Sequence, residues 1–205
     1  MFKTKTLWMF LLKAVILYGL LALPLPFYNE MYGAFYRSMA TTFFEKFGDG
    51  GLVKFEKQEG VFTTRIVILN TKKARADGAL YGGSCEINPR YYGYVPTILL
   101  ISLIIASPVP RKRKLVALLV GLILLYALIL FKQWIILLTL CDQGGADLGL
   151  MTFNSFQLKL LRITSNILYK SVSPVMYFTV AIWLLVTFRM DDLRSVNETI
   201  RSAKK

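Results

Sequence analysis

The sequence predicts a polytopic α-helical membrane protein with four transmembrane helices, a small extracytoplasmic antiparallel β module and interfacial amphipathic helices. Of its 205 residues, 55% are hydrophobic, and the mean hydropathy of +0.51 is too high for a soluble domain of this length. The net charge of +13 arises where Lys and Arg flank apolar runs, which is the cytoplasmic signature of membrane proteins. We therefore expect the lipid bilayer as a partner and no nucleic acid.

The first apolar run, residues 7–27, predicts a membrane helix within residues 1–27. Lys3 and Lys5 precede it, and no small-x-small cleavage site follows, so we expect an uncleaved anchor. Lys13 lies one turn inside this helix. It is either a functional residue within the membrane or a side chain that reaches back to the cytoplasmic headgroups.

Residues 28–91 predict an extracytoplasmic module made of one helix and a small sheet. Apolar residues recur at every fourth position over residues 28–47, which favours an amphipathic helix. The period then changes to that of strands over residues 52–57, 61–69 and 79–87. The middle strand has apolar residues on both faces, so we expect it to be covered on both sides. A sheet of three strands needs such support.

Residues 92–189 predict three further membrane helices, and basic residues at Arg111–Lys114 and Arg189 mark their cytoplasmic ends. These helices are residues 92–109, 115–140 and 175–188. An amphipathic helix over residues 150–170 is expected in the outer interface, and residues 190–205 form a cytoplasmic tail. This pattern indicates a multi-pass protein of the bacterial cytoplasmic (inner) membrane with both termini in the cytoplasm.

Lys132 and Gln133 are the other strong polar residues within the predicted membrane helices. Lys132 either reaches the outer headgroups or faces a partner inside the bundle. Such residues leave a small transporter or channel subunit open as an alternative function. Four helices would form a path across the membrane only as an oligomer.

Cys85 and Cys141 both fall on the predicted outer side. A disulfide between them would tie the sheet to the helices, and two separate buried thiols are the alternative. Cys85 is also a candidate nucleophile of a membrane-embedded cysteine peptidase or transpeptidase, with Arg90 as the cation that would lower its pKa. The chain has no His, which argues against the usual nucleophile–base pairs, and we expect no metal and no cofactor.

Arg65 and Arg90 are candidate partner-binding residues on the sheet and at its junction with the next helix. Each could bind a lipid headgroup, a sorting-signal carboxylate or a partner protein, and the alternative is a solvated surface or a salt bridge with Glu86. Tyr91 and Tyr94 lie beside Arg90 and are typical of an aromatic belt at the membrane surface.

A series of residues between positions 60 and 125 resembles a known family. These residues are Thr64-Arg65, Asn88, Arg90, Tyr91, Tyr94, Pro96 and Ala106-Ser107-Pro108. In this order they resemble the small bacterial membrane proteins that accompany exosortases, the membrane cysteine transpeptidases that process C-terminal sorting signals. Exosortases use a Cys, an Arg and a His, and because this chain has no His, the resemblance implies an accessory role and not the enzyme.

The sequence therefore predicts a non-enzymatic accessory or scaffold protein of the inner membrane. It would bind or position another membrane protein or protein complex at the outer membrane face, in exosortase-type protein sorting or export.

Overall fold

The computed structural model describes residues 4–23, 26–58, 64–74, 78–143, 148–168 and 173–188. Within these ranges the chain forms six α-helices, one π-helix and a four-stranded sheet. The α-helices are α1 (Thr4–Ala22), α2 (Pro26–Phe44), α3 (Val95–Ala106), α4 (Arg111–Gln143), α5 (Ser155–Leu168) and α6 (Ser173–Thr187). The strands are β1 (Lys46–Phe47), β2 (Gly51–Lys57), β3 (Thr64–Ala74) and β4 (Leu80–Ile87), and the π-helix is Arg90–Tyr94.

The chain divides into two compact units. The first unit consists of Met1–Leu23, Val95–Tyr126 and Val175–Lys205, and the second of Pro24–Tyr94 and Ala127–Pro174.

In the first unit α1 packs along α3, and basic side chains bind the ends of two helices. Arg113 donates a hydrogen bond to the carbonyl oxygen of Thr187 at 2.7 Å, at the end of α6. Lys114 donates to the carbonyl oxygen of Ile105 at 2.5 Å, near the end of α3. The last carbonyls of a helix lack partners within it and carry partial negative charge. Half of the Arg-Lys-Arg-Lys run is thus used to cap neighbouring helices.

The prediction of four transmembrane helices is wrong. Among the described residues, α4 alone is both long and apolar enough to cross a membrane, with 33 residues. The other apolar helices, Leu7–Ala22, Arg90–Ala106 and Pro174–Thr187, have 10–17 residues, whereas a span needs about 20. The multi-pass topology with both termini in the cytoplasm depended on those four spans and stays a prediction.

The α3 region shows why hydropathy overstated the number of spans. The π-helix Arg90–Tyr94 continues directly into α3, and the apolar helix that they form, Arg90–Ala106, stops short of the predicted end at residue 109. Pro96, the second residue of α3, has no N–H and so cannot donate a backbone hydrogen bond to the preceding turn. The helix ends at Ala106, shortly before Pro108. Hydropathy counts apolar residues and does not detect where a helix ends.

The sheet of the second unit is an antiparallel meander in the order β1-β2-β3-β4. It has one strand more than predicted because α2 ends at Phe44, and Lys46–Phe47 then pair with β2. Gly48 and Gly50, with φ of 65° and 84°, make this tight turn possible, since other residues rarely adopt such angles. The predicted middle strand began at residue 61, but residues 59–63 lie outside the described ranges.

The two faces of β3 differ in burial. Ile66 and Ile68 are fully buried, whereas on the opposite face Arg65 is exposed and Val67 and Leu69 are half-buried, so the second face is covered only in part. Leu69 lies over Gly82 of β4, where an added Cβ would be 2.6 Å from a Leu69 methyl carbon. The apolar residues that suggested a second buried face are thus sheltered by their cross-strand neighbours.

The predicted amphipathic helix over residues 150–170 is shorter in the structure, where α5 begins at Ser155. Asn154 and Gln157 exchange two hydrogen bonds between side chain and backbone, at 2.8 and 3.0 Å, and this reciprocal cap fixes the start of the helix. Leu161 and Leu168 on one face of α5 pack against Ile135 of α4.

Candidate functional site

The π-helix Arg90–Tyr94 begins at a well-defined cap. The side-chain Oδ1 of Asn88 accepts a hydrogen bond from the Arg90 N–H at 3.0 Å. The backbone carbonyl of Asn88 accepts from the N–H groups of Tyr91 and Tyr92, both at 3.1 Å. π-Helices are rare and occur frequently at functional sites. This one contains three of the four residues predicted to bind a partner.

Gly93 lets α2 approach the π-helix closely. A Cβ at this position would be 2.1 Å from the hydroxyl oxygen of Tyr32. The ring of Tyr32 also packs edge to face against Tyr94, with 5.4 Å between centroids. A side chain larger than hydrogen at Gly93 would therefore push α2 and the π-helix apart.

Four residues of the second unit form a buried polar cluster: Tyr36, Tyr92, Lys132 and Gln133. The Tyr36 hydroxyl donates a hydrogen bond to Oε1 of Gln133, and the two side chains are 1% and 2% exposed. Lys132 is 3% exposed, and its Nζ lies 3.8 Å from the centroid of the Tyr92 ring, in a cation–π contact. The cluster joins α2, the π-helix and α4.

The electrostatics of the cluster keep Tyr36 a hydrogen-bond donor. Burial raises the pKa of Tyr36 above its ordinary value of 10, and the neighbouring Tyr92 and Cys85 raise it further. The phenol therefore stays protonated at physiological pH and can donate to Gln133.

The surroundings of Cys85 are the reverse of those that activate a nucleophile. Burial raises the pKa of its thiol to about 11, and the carboxylate of Glu86 adds to this effect. A cation such as Arg90 was expected to lower it. Cys85 is half-buried and Cys141 is buried, and no bond joins their sulfur atoms in this structure. A disulfide between them was one of two alternatives, and it stays a prediction.

The remaining predicted residues are distributed over separate places. Arg65 lies on the exposed face of the sheet opposite Glu56 and Glu86, and its guanidinium donates to the Ser84 hydroxyl oxygen at 3.3 Å. Lys13 lies on an exposed part of α1 in the other unit.

In the π-helix, Arg90 is half-buried and Tyr91 is 50% exposed. Arg90, Tyr91 and Tyr94 therefore lie together in one short helix. Arg65 lies apart from them on β3, where it pairs with Glu86 of β4.

Tyr36 and Tyr92 were not singled out as site residues from the sequence. The predicted apolar stripe of α2 included Met31 and Phe35, and both are exposed. The buried face instead carries Tyr36 and Ala40. The buried residues Gly33, Tyr36 and Ala40 are spaced three and four positions apart, which is the spacing of one helix face and was a signal for it.

An exposed aromatic pair lies on the same turn of α4 as Lys132 and Gln133. Phe131 and Trp134 are 44% and 42% exposed, and their ring centroids are 6.0 Å apart. They bracket Lys132 and Gln133 in the sequence, so the same turn of α4 presents aromatic rings on one side and buried polar groups on the other.

Comparison with protein-family models finds a match over residues 4–190 to the family described as "Exosortase H-associated membrane protein". No curated protein and no solved structure gives a match. The match extends well beyond residues 60–125, on which the resemblance was based, and includes every residue of the buried polar cluster. The resemblance is confirmed, and the chain belongs to the family of exosortase H-associated membrane proteins.

Proposed function

We propose that this protein is a non-enzymatic accessory subunit that binds an exosortase in the membrane and positions it for protein sorting or export. The family match over residues 4–190 carries this proposal, because the family is described by its association with exosortase H. An accessory role agrees with the chemistry of the chain, which has no His and a Cys85 thiol whose pKa is raised to about 11.

The contact surface that we propose is formed by the π-helix and the neighbouring turn of α4. Tyr91 of the π-helix and the pair Phe131 and Trp134 of α4 are exposed aromatic residues. Lys132 contacts Tyr92, so these two parts of the second unit are neighbours. Protein interfaces and their strongest contacts are enriched in aromatic residues such as Tyr and Trp.

The direction of α4 suggests which side of the membrane this surface faces. Four consecutive basic residues begin at Arg111, at the N-terminal end of α4, and such clusters favour the cytoplasmic side. The other end of α4, which carries Lys132 and Gln133, would then lie toward the outer face of the bacterial inner membrane. This orientation is part of the proposal.

The test is co-purification with exosortase H from the same genome. The two proteins are co-expressed, solubilised in a mild detergent and captured through a tag on either one, with an unrelated membrane protein as the control. We expect each tagged protein to recover the other in near-equal amounts, and the control to recover neither. Recovery of exosortase H at the control level with both tags would refute the proposed function.

A further inference from the structure

Lys132 is a buried cation whose charge is not neutralised within the described part of the chain. Its side chain is 3% exposed, and its contact there is with the face of the Tyr92 ring. The ion pairs found among the described residues involve other lysines, Lys57 and Lys72. A buried ammonium is unfavourable unless a negative group or several acceptors compensate it.

Gln133, the next residue, has unused hydrogen-bond donors. Its Oε1 accepts from Tyr36, but the buried Nε2 has no hydrogen-bond partner among the described residues. The groups of the two side chains that have no hydrogen-bond partner there are donors: the ammonium hydrogens of Lys132 and the two amide hydrogens of Gln133. A group that satisfies both must accept hydrogen bonds and carry negative charge.

The family match favours a carboxylate that a protein supplies, because the family is described by its association with exosortase H. Phe131 and Trp134 lie exposed on the side of α4 opposite Lys132 and Gln133. The approach to the ammonium is therefore on the side of Tyr92, which covers it and is itself half-buried. A partner that reaches the ammonium would displace this ring.

We propose that Lys132 and Gln133 form a binding site for an Asp or Glu carboxylate that a partner membrane protein inserts beside Tyr92. This inference rests on the proposed function, and it specifies the chemistry of the contact. The carboxylate would replace the cation–π contact as the main partner of the ammonium, and it would also accept from the amide of Gln133.

The first test compares Lys132→Met with Lys132→Arg in the co-purification with exosortase H. Methionine keeps the length of the side chain and removes its charge, whereas arginine keeps the charge. We expect Lys132→Met to reduce the recovered exosortase about ten-fold or more, since one member of a buried charge pair is lost. We expect Lys132→Arg to stay within about three-fold of the wild type. Lys159→Met, at an exposed lysine of α5, is the matched control and should have no effect.

Thermal unfolding of the protein without exosortase separates binding from a structural role. Lys132→Met should unfold at the same temperature as the wild type or higher, because an uncompensated buried charge has been removed. If Lys132 instead stabilises the fold through its contact with Tyr92, Lys132→Met should unfold at a lower temperature than the wild type and also recover less exosortase H. That outcome would overturn the proposal.

A hydrophobic carbodiimide provides a direct measurement on the wild-type complex. The reagent activates a carboxylate, the Lys132 amine attacks the activated carbon, an amide bond forms, and the reagent leaves as a urea that carries the carboxylate oxygen. Mass spectrometry should find Lys132 joined to an Asp or Glu of exosortase H, and Lys132→Met should abolish this product.

The outcomes distinguish the site from the proposed function. If wild-type protein recovers exosortase H and Lys132→Met does so equally, the carboxylate site is wrong and the accessory role stands. If Lys132 is joined to a carboxylate of its own chain or of a second copy, the site is likewise wrong. Loss of bound anionic phospholipid in Lys132→Met, with exosortase recovery unchanged, would assign the site to a lipid headgroup and overturn the proposal. If the wild type recovers no exosortase, both proposals fail.

Discussion

Replacement of Gly93 by alanine tests the close contact between α2 and the π-helix. The new Cβ would lie 2.1 Å from the Tyr32 hydroxyl oxygen and 3.0 Å from its Cζ. Ordinary contact begins at 3.4 Å, so the hydroxyl must move by about 1.3 Å, the difference between 3.4 and 2.1 Å. The Tyr32 ring is held against Tyr94, and overpacking of this kind typically costs about 1–3 kcal/mol.

The assay is thermal unfolding in detergent. For a protein of this length, about 1 kcal/mol corresponds to roughly 2–4 °C in Tm, so an effect near 2 kcal/mol lowers the Tm of Gly93→Ala by about 4–8 °C. The backbone at Gly93 does not have positive φ, so the clash and not backbone strain determines the effect.

Two further variants make this prediction specific. Gly19→Ala is the control, since nothing lies within 4 Å of a Cβ added there, and an alanine within a helix should leave stability unchanged or raise it. Tyr32→Phe removes the clashing hydroxyl and should restore part of the stability of Gly93→Ala in the double variant. The reasoning is refuted if Gly93→Ala unfolds at the wild-type temperature.

Three further predictions concern the buried polar cluster and the thiol. Tyr36→Phe removes the hydrogen bond to buried Gln133 and should destabilise the protein by about 1–3 kcal/mol in denaturant unfolding, and an unchanged midpoint would contradict the bond. With Cys141→Ser as background, the alkylation rate of Cys85 should rise about ten-fold per pH unit from pH 7 to 10. The raised pKa of about 11 keeps the thiol protonated below that value, and a rate that is flat above pH 7 would show an activated thiolate. Cys85→Ala should retain full sorting activity in cells, whereas its loss would support the peptidase alternative.

Sequence patterns identified the features that depend on neighbouring residues: the family motif, the long apolar helix and the strands. The resemblance rested on side chains at fixed spacing, and the family match over residues 4–190 bears it out. The long apolar run that predicted residues 115–140 as a membrane helix falls within α4. The strands were found by their β-branched residues and bounded by glycine turns.

The parts that depend on distant contacts were not predictable from those patterns. Tyr36 and Gln133 are 97 positions apart, and no local pattern indicates that they are hydrogen-bonded. The apolar stripe predicted for α2 did not show which face of the helix is buried; the close approach to the π-helix at Gly93 buries Tyr36 and Ala40 instead of the larger apolar residues Met31 and Phe35. The number of spans was overstated because hydropathy does not detect where a helix ends, and three of the apolar helices have only 10–17 residues.

The central claim is that this protein contacts exosortase H through its π-helix. The most direct measurement is a photo-crosslink from a benzophenone amino acid placed at Tyr91, made in intact membranes before any detergent is added. The same label at Lys54, on the exposed face of the sheet, is the comparison. We predict a crosslink to exosortase H from position 91 and little from position 54. Crosslinks to lipid or to unrelated proteins alone from position 91 would contradict the account.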